Sequence, residues 1–215
     1  MLENSGMESY YAKRAQEYET IYLKPERQEY IKESKIILKK YFEGKTVLEI
    51  ACGTGFWTET ISEVSKSILA IDINNEMLEI AKNKKYNCKI DFIQDDSYKL
   101  EKVNGNYDSL FSGFWFSHIP KSKIKIFFDI IHNKLNENAI IVFMDNMYVD
   151  GSSIPITRFD TDRNSYQIRK LKDNSQYEIF KNFYSVNELK DLVQDYDNKV
   201  VIKDLKYYWI LKYNK

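Results

Sequence analysis

The segment Val47-Leu48-Glu49-Ile50-Ala51-Cys52-Gly53-Thr54-Gly55 constrains this chain more than any other. The short apolar run from Thr46 to Ile50 has the composition of a buried strand. It passes through a turn of small residues into a helical segment running from Phe56 to about Ser65. Glycines in such a turn let the backbone approach a ligand that a Cβ would repel. The next strand-like run, Ser67 to Ile71, ends in Asp72, 19 positions beyond Gly53 (72 − 53). Open parallel sheets bind ligands outside the carboxyl ends of their strands. An acidic residue at about that offset takes a ribose hydroxyl.

Three patterns compete for this turn. A P-loop needs G-x-x-x-x-G-K-[ST]. Gly44-Lys45-Thr46 imitates its end, but Lys39 stands at the first glycine position and the triplet precedes the strand. The dinucleotide fingerprint G-x-G-x-x-G is met by Gly53 and Gly55, while Thr58 replaces the third glycine, the one that permits close helix–strand packing. The third pattern, Glu49-x-Ala51-x-Gly53-x-Gly55, resembles the first motif of the class I S-adenosylmethionine-dependent methyltransferases. Three further segments resemble that family in order and spacing. Ile71-Asp72-Ile73-Asn74-Asn75-Glu76-Met77-Leu78 is similar to its second-strand segment, Phe92-Ile93-Gln94-Asp95-Asp96-Ser97 to its adenine segment, and Tyr107-Asp108-Ser109-Leu110-Phe111-Ser112-Gly113-Phe114 to its fourth-strand motif.

The resemblance implies S-adenosylmethionine as cofactor and S-adenosylhomocysteine as product. It places Glu49, Ala51, Cys52, Gly53 and Gly55 around the methionine end, and Asp72 on the ribose with Ile73 and Met77 beside it. Asp95, Asp96 and Ser97 fall at the adenine, Ser112 and Phe114 at the end of the fourth strand. The chemistry agrees. This cofactor has no phosphate, so the turn needs no lysine, and a carboxylate suits a pair of ribose hydroxyls. The implied fold is α/β: a Rossmann-like, seven-stranded, mostly parallel sheet with helices on both faces, an antiparallel C-terminal strand and an N-terminal helical lid.

Periodicity elsewhere is compatible with alternating crossover units. Helices are expected over about 8–21 and 25–42, split at Pro25, with Gly44 ending the second. Further helices are expected over 75–84, 121–135 and 186–193, the last with Ser185 as N-cap. Strands are expected over 89–93, 107–111 and 139–144, and a terminal hairpin over 199–213 should add an antiparallel edge. Residues 148–184 show no regular pattern, and a connection that long often carries function. One domain is expected: a lid over 1–43, a cofactor-binding core over 44–147, an insertion over 148–184 lining the acceptor pocket, and a C-terminal helix and hairpin over 185–215.

Lys+Arg and Asp+Glu number 32 each, so the basic excess of a nucleic-acid binder is missing. The fourth-strand segment also lacks the Pro-Pro-aromatic motif of amino-methylating DNA enzymes. No apolar run reaches the 18 residues of a membrane span, and Met1-Leu2-Glu3-Asn4 is unlike a signal peptide. Two cysteines make no disulfide framework. The chain is expected to be cytoplasmic, a monomer or homodimer, with a small molecule and neither nucleic acid nor membrane as partner.

Methyl transfer is an in-line displacement in which the protein aligns the acceptor and removes a proton where needed. His118, after the fourth strand, is the expected catalytic base, because an ordinary histidine titrates near neutrality. A backbone-bonded structural role ahead of Pro120 is the alternative. His132 is expected to be structural. Asp145-Asn146 resembles part of the metal site of catechol-type O-methyltransferases, but the stretch after the fourth strand adds no acid, so no metal is expected. Tyr11, Arg14 and Tyr18 share one face of a helix and are expected to close over cofactor and acceptor.

In the insertion, Arg158, Arg163, Tyr166, Arg169 and Lys181 would favour an anionic acceptor. Asp150, Asp160, Asp162, Asp173 and Glu178 nevertheless make a solvated mixed-charge surface the expectation there. The function implied is methyl transfer to oxygen or nitrogen of a small molecule. A non-catalytic binder of S-adenosylmethionine or S-adenosylhomocysteine, and a nicotinamide-dependent oxidoreductase, remain as alternatives.

Overall fold

The computed structural model describes residues 5–215; the N-terminal Met1–Asn4 lies outside the described residues. The chain begins with α1 (Ser5–Arg14) and α2 (Gln28–Phe42), then alternates β1 (Thr46–Ile50), α3 (Phe56–Ser62), β2 (Ser67–Asp72), α4 (Asn75–Lys82) and β3 (Lys89–Gln94). It continues with β4 (Tyr107–Gly113), α5 (Ile124–His132) and β5 (Leu135–Asn146). Three short strands follow, β6 (Arg158–Phe159), β7 (Ser165–Lys170) and β8 (Gln176–Phe180), before α6 (Val186–Val193), β9 (Val201–Asp204) and β10 (Tyr208–Asn214).

The main sheet runs β3-β2-β1-β4-β5-β10-β9. β1 pairs in parallel with β2 and β4, and β10 is antiparallel to both its neighbours. Central strands are apolar on both sides because helices cover both sides. Val47, Phe111 and Met144 pack with Leu38 and Phe42 of α2 and Trp57 of α3. Leu48, Ile50 and Phe143 pack on the other face with Phe127 and Phe128 of α5 and Leu189 of α6. The order reverses at β1, so the switch point lies where β1 and β4 end, and a ligand crevice opens there.

Several expected boundaries move, each for a local reason. The first helix stops at Arg14, and Ala15–Leu23 continues as a 3₁₀ helix that turns Tyr22 flat against Phe56, with ring centroids 4.0 Å apart. Pro25 opens a short 3₁₀ turn, and the second α-helix starts only at Gln28. Gly44, at φ +69°, ends that helix as expected. Leu135 belongs to β5 rather than to α5; it pairs with Tyr107 across a register shift. β10 inserts between β5 and β9, so the sheet edge is β9 and the antiparallel strand is internal. Residues 148–184 are not irregular, for they contain the antiparallel sheet β6-β7-β8. Ser185 caps α6 in a full capping box with Glu188. Among the described residues no helix is long and apolar enough to cross a membrane.

Candidate functional site

Beyond the carboxyl ends of β1, β2 and β4 lies a cavity of about 310 Å³. Its floor is the glycine turn, with Ala51 and Gly53, joined by Gly113 and Phe114 from the end of β4. Ala51 and Phe114 sit at φ 54° and 61°, a left-handed conformation that is strained for residues with a Cβ and that clusters at binding sites. Gly53 is also left-handed, and a Cβ there would meet only Tyr18 at 4.0 Å, so its exposed edge faces open cavity. Gly55 serves packing instead. A Cβ on it would run into the Tyr86 hydroxyl and the Ala81 side chain.

Asp72 closes the far side of the turn. Its carboxylate accepts from the Gly53 N–H at 2.8 Å and the Asn74 N–H at 2.9 Å. Those donors favour ionisation, yet burial dominates and pushes its pKa up to about 6. Asp96 and Ser97 line the cavity beyond it, with Ile73 and Met77. Asp95 does not; its carboxylate accepts from the N–H groups of Asp96 and Lys102 and so shapes the loop.

A small recess continues from Ala51 and Gly53 past Glu49, Cys52 and Thr54. Glu49 is 2% exposed, and its Oε2 has no hydrogen-bond partner among the described residues. Burial raises its pKa to about 8, with the nearby Asp72 adding to the rise. A buried carboxyl without a partner is an acceptor awaiting a cation or an N–H group. Ser112 is buried in β4 and lines none of the cavities.

His118 forms the wall opposite the turn and is 3% exposed. Its Nδ1 lies 2.5 Å from the Phe180 carbonyl, which can only accept, so Nδ1 carries the proton. Nε2 therefore presents a lone pair, and the Tyr11 hydroxyl donates to it at 2.9 Å. Burial, then the charges of Lys181 and Arg169, push the histidine pKa down to about 3. The Tyr98 hydroxyl steadies the loop by donating to the His118 carbonyl. His132 lies apart, bonded to the Tyr213 hydroxyl at 3.0 Å.

A second cavity, about 190 Å³, shares Tyr11, Tyr18 and Phe114 with the first. Arg14, Arg27, Arg169 and Lys181 line it. Tyr11, Arg14 and Tyr18 thus converge, although Tyr18 stands in the 3₁₀ segment rather than on the same α-helix. The insertion's basic residues divide. Arg158 pairs with Glu178 at the surface, as a mixed-charge face should, and Arg163 is exposed. Arg169 and Lys181 instead turn inward, which the sequence pattern did not separate. Arg27 and Tyr98 carried no sequence signal beyond their types. Lys181 Nζ lies 2.7 Å from Asp145 Oδ1, and Asp145 also accepts from the Ser117 N–H and from Asn146. Asp145 is therefore the buried counter-ion of Lys181, and among the described residues no three His, Cys, Asp or Glu side chains converge to hold a metal.

Residues 47–138 match a family described as a methyltransferase domain. The chain is 26% identical to the uncharacterized protein MJ1252 of Methanocaldococcus jannaschii, over 93% of this chain and 78% of that one. It is 35% identical to the demethylmenaquinone methyltransferase of Lactococcus lactis, over 36% of this chain and 33% of the relative, and so spans about a third of that protein's length. Among solved structures, DhpI in complex with SAH superposes with a TM-score of 0.79 at 21% identity, covering 97% of this chain and 94% of DhpI. A DhpI-SAM-HEP complex gives the same score at 20% identity, covering 97% and 95%.

The Asp145–Lys181 pair ties the insertion to β5, with Asp145 fully buried and Lys181 nearly so. Lys181→Met leaves Asp145 buried and unpaired, and should cost about 3–5 kcal/mol in denaturant unfolding. A loss under about 1 kcal/mol would show that the pair does not anchor the insertion.

Proposed function

We propose that this chain, which carries a methyltransferase domain over residues 47–138, is a class I S-adenosylmethionine-dependent methyltransferase whose acceptor is a small anionic molecule methylated at oxygen or nitrogen. The observation that carries this reading is the pair of adjoining cavities of opposite charge. Glu8, Asp72 and Asp96 face Lys99 in the first, while the second is lined by cations and by no carboxylate.

The residues of the first cavity fit the cofactor. The unpartnered Glu49 Oε2 suits its ammonium, the open edge of Gly53 suits close backbone approach, and Asp72 suits the ribose hydroxyls. Asp96 and Ser97 fall where the adenine is expected, with Met77 and Ile73 as apolar cover. Bound there, S-adenosylmethionine supplies a methyl group on a positively charged sulfur, ready for displacement. Tyr11, Tyr18 and Phe114 separate the two cavities and enclose the line of transfer from water.

His118 acts on the acceptor. Its Nε2 lone pair holds the Tyr11 hydroxyl, and an acceptor O–H or N–H in that place surrenders its proton to the same nitrogen. In the free protein burial, and then the neighbouring cations, make His118 a weak base. An anion against Arg169 offsets part of that field and strengthens the base only when acceptor is present.

Cofactor binding is tested by thermal unfolding with S-adenosylmethionine, S-adenosylhomocysteine, NAD and ATP. At about 100-fold above the dissociation constant a ligand adds about 2.7 kcal/mol, a rise of roughly 5–10 °C. Only the two sulfur compounds should give it, and Asp72→Ala should lose it; a shift with NAD alone would refute the reading. Glu49 provides a sign-specific check. Its raised pKa keeps it protonated at pH 7, and a bound ammonium demands the carboxylate, so binding should expel about one proton. Calorimetry in buffers of different ionisation enthalpy reads this directly, and Glu49→Gln should reduce it to near zero.

His118→Ala should lower kcat at saturating cofactor by about 10²-fold or more. The neutral histidine is the working form and its pKa lies near 3, so kcat/KM for the acceptor should show no histidine break between pH 5 and 8. Near-normal turnover in the alanine variant would remove His118 from the chemistry.

A further inference from the structure

The second cavity carries more positive charge than one anion needs, and the charge is divided between two places. Arg14, Lys24, Arg27 and Arg169 line it, and among the described residues none lies within 4.0 Å of a carboxylate. At the inner end Arg169 donates to the Tyr11 hydroxyl at 3.3 Å and to Gln167 Oε1 at 3.0 Å. Arg14 stands beside it, 5.8 Å from the Tyr18 ring centroid. At the other end Arg27 lies 5.0 Å from the Tyr207 ring centroid and donates to Ser152 Oγ at 3.1 Å. The two guanidinium groups share no hydrogen-bond partner or ring.

Each has the same unfinished chemistry. The Nε of Arg169 and the Nε of Arg27 are buried, and neither has a partner among the described residues. Buried N–H donors are rarely left unsatisfied. A guanidinium edge made of Nε and one Nη is the fork that grips a carboxylate or phosphate through two parallel bonds. Both arginines line one cavity of about 190 Å³, room for a small molecule and not for a polymer.

We infer that the acceptor is a small dianion anchored at both ends, one oxyanion on Arg169 and the other on Arg27, each a carboxylate or a phosphate-type group. The inference rests on the methyltransferase reading of the first cavity. The inner anchor adjoins Tyr11, whose hydroxyl occupies His118 Nε2. An acceptor held there brings its neighbouring O–H or N–H to that nitrogen, while the Arg27 anchor sets its length.

The test is calorimetric titration of the protein saturated with S-adenosylhomocysteine. Probes are butyrate against glutarate for carboxylates, and methylphosphonate against phosphonoacetate as stable stand-ins for the phosphate type. The two-anion member of a pair should bind at least about tenfold more tightly than its single-anion counterpart. Whichever pair shows the larger gain identifies the group that fits. Arg27→Met should erase that gain while leaving single-anion affinity and S-adenosylhomocysteine affinity unchanged, and Arg169→Met should weaken both members. Equal affinity within both pairs, no binding of any probe, or a gain that survives Arg27→Met would overturn the dianion inference with the cofactor reading intact. Failure to bind S-adenosylhomocysteine would bring down both.

Discussion

One buried carboxylate organises the switch point. Asp72 ends β2 and accepts from Gly53 in the turn after β1 and from Asn74 at the start of α4, so two crossover units meet on one side chain. Desolvation outweighs those donors, since the pKa still rises to about 6. The arrangement therefore stores free energy that a ligand able to hydrogen-bond the ionised group would recover. It also dictates backbone shape. Gly53 can turn its N–H toward Asp72 only because the turn is left-handed at Ala51 and Gly53. A residue with a Cβ in that conformation costs about 1–2 kcal/mol, so Ala51 persists only where its surroundings over-determine it. The Cys52 N–H, donated to the Ile71 carbonyl at 2.9 Å, is one such constraint.

The N-terminal segment completes what the sheet begins. Glu19 accepts from Thr54 in the glycine turn at 2.7 Å and pairs with Lys84 after α4. Trp57 Nε1 donates to the Tyr22 hydroxyl, and Glu17 pairs with Lys172 in the insertion. Tyr10 is buried against Leu171 and Ile179 from the β7–β8 region. The segment is thus held by the turn on one side and by the insertion on the other. The second cavity needs all three, since Arg14 and Arg27 come from the N-terminal region, Arg169 and Lys181 from the insertion, and Phe114 from the end of β4. Opening the segment would dismantle that cavity and expose the first.

The parts legible in the sequence were those governed by local rules. The strand Thr46–Ile50, the glycine turn after it and the second strand ending in Asp72 were legible as structure because strand, turn and strand end are neighbours in sequence. Ser185 and Glu188 declared the start of α6 for the same reason. What escaped depended on distant partners. The role of Gly55 is set by Tyr86 and Ala81, so spacing alone assigned it to the ligand. Ser165–Lys170 alternates as a strand, but its pairing with β8 gives it that form, and mixed charges mask the period. Arg158 and Arg169 look alike in sequence. One meets Glu178 across the small sheet and faces solvent; it pairs with Tyr166 of β7, and Arg169, three residues further along that strand, stands on the opposite face and points into the protein. His118 stood out by type and position, but its tautomer follows from the Phe180 carbonyl, and its weak basicity from burial and from Lys181, both set by chain more than sixty positions away.

The sign of each cavity has a consequence for the direction of the proposed reaction. A unit charge at about 4 Å from another is worth about 4 kcal/mol at an effective dielectric of 20. Acidic groups around the first cavity therefore favour a cationic occupant, and arginines around the second favour an anionic one, across a partition of three aromatic side chains. Before transfer the sulfonium and the anion sit on walls of complementary sign and attract each other along the line of attack. After transfer the sulfur is neutral and that attraction is gone, while the ammonium facing Glu49 and the ribose facing Asp72 are unchanged. Cofactor and product therefore share the ammonium and ribose anchors, and differ in the one charge that transfer removes.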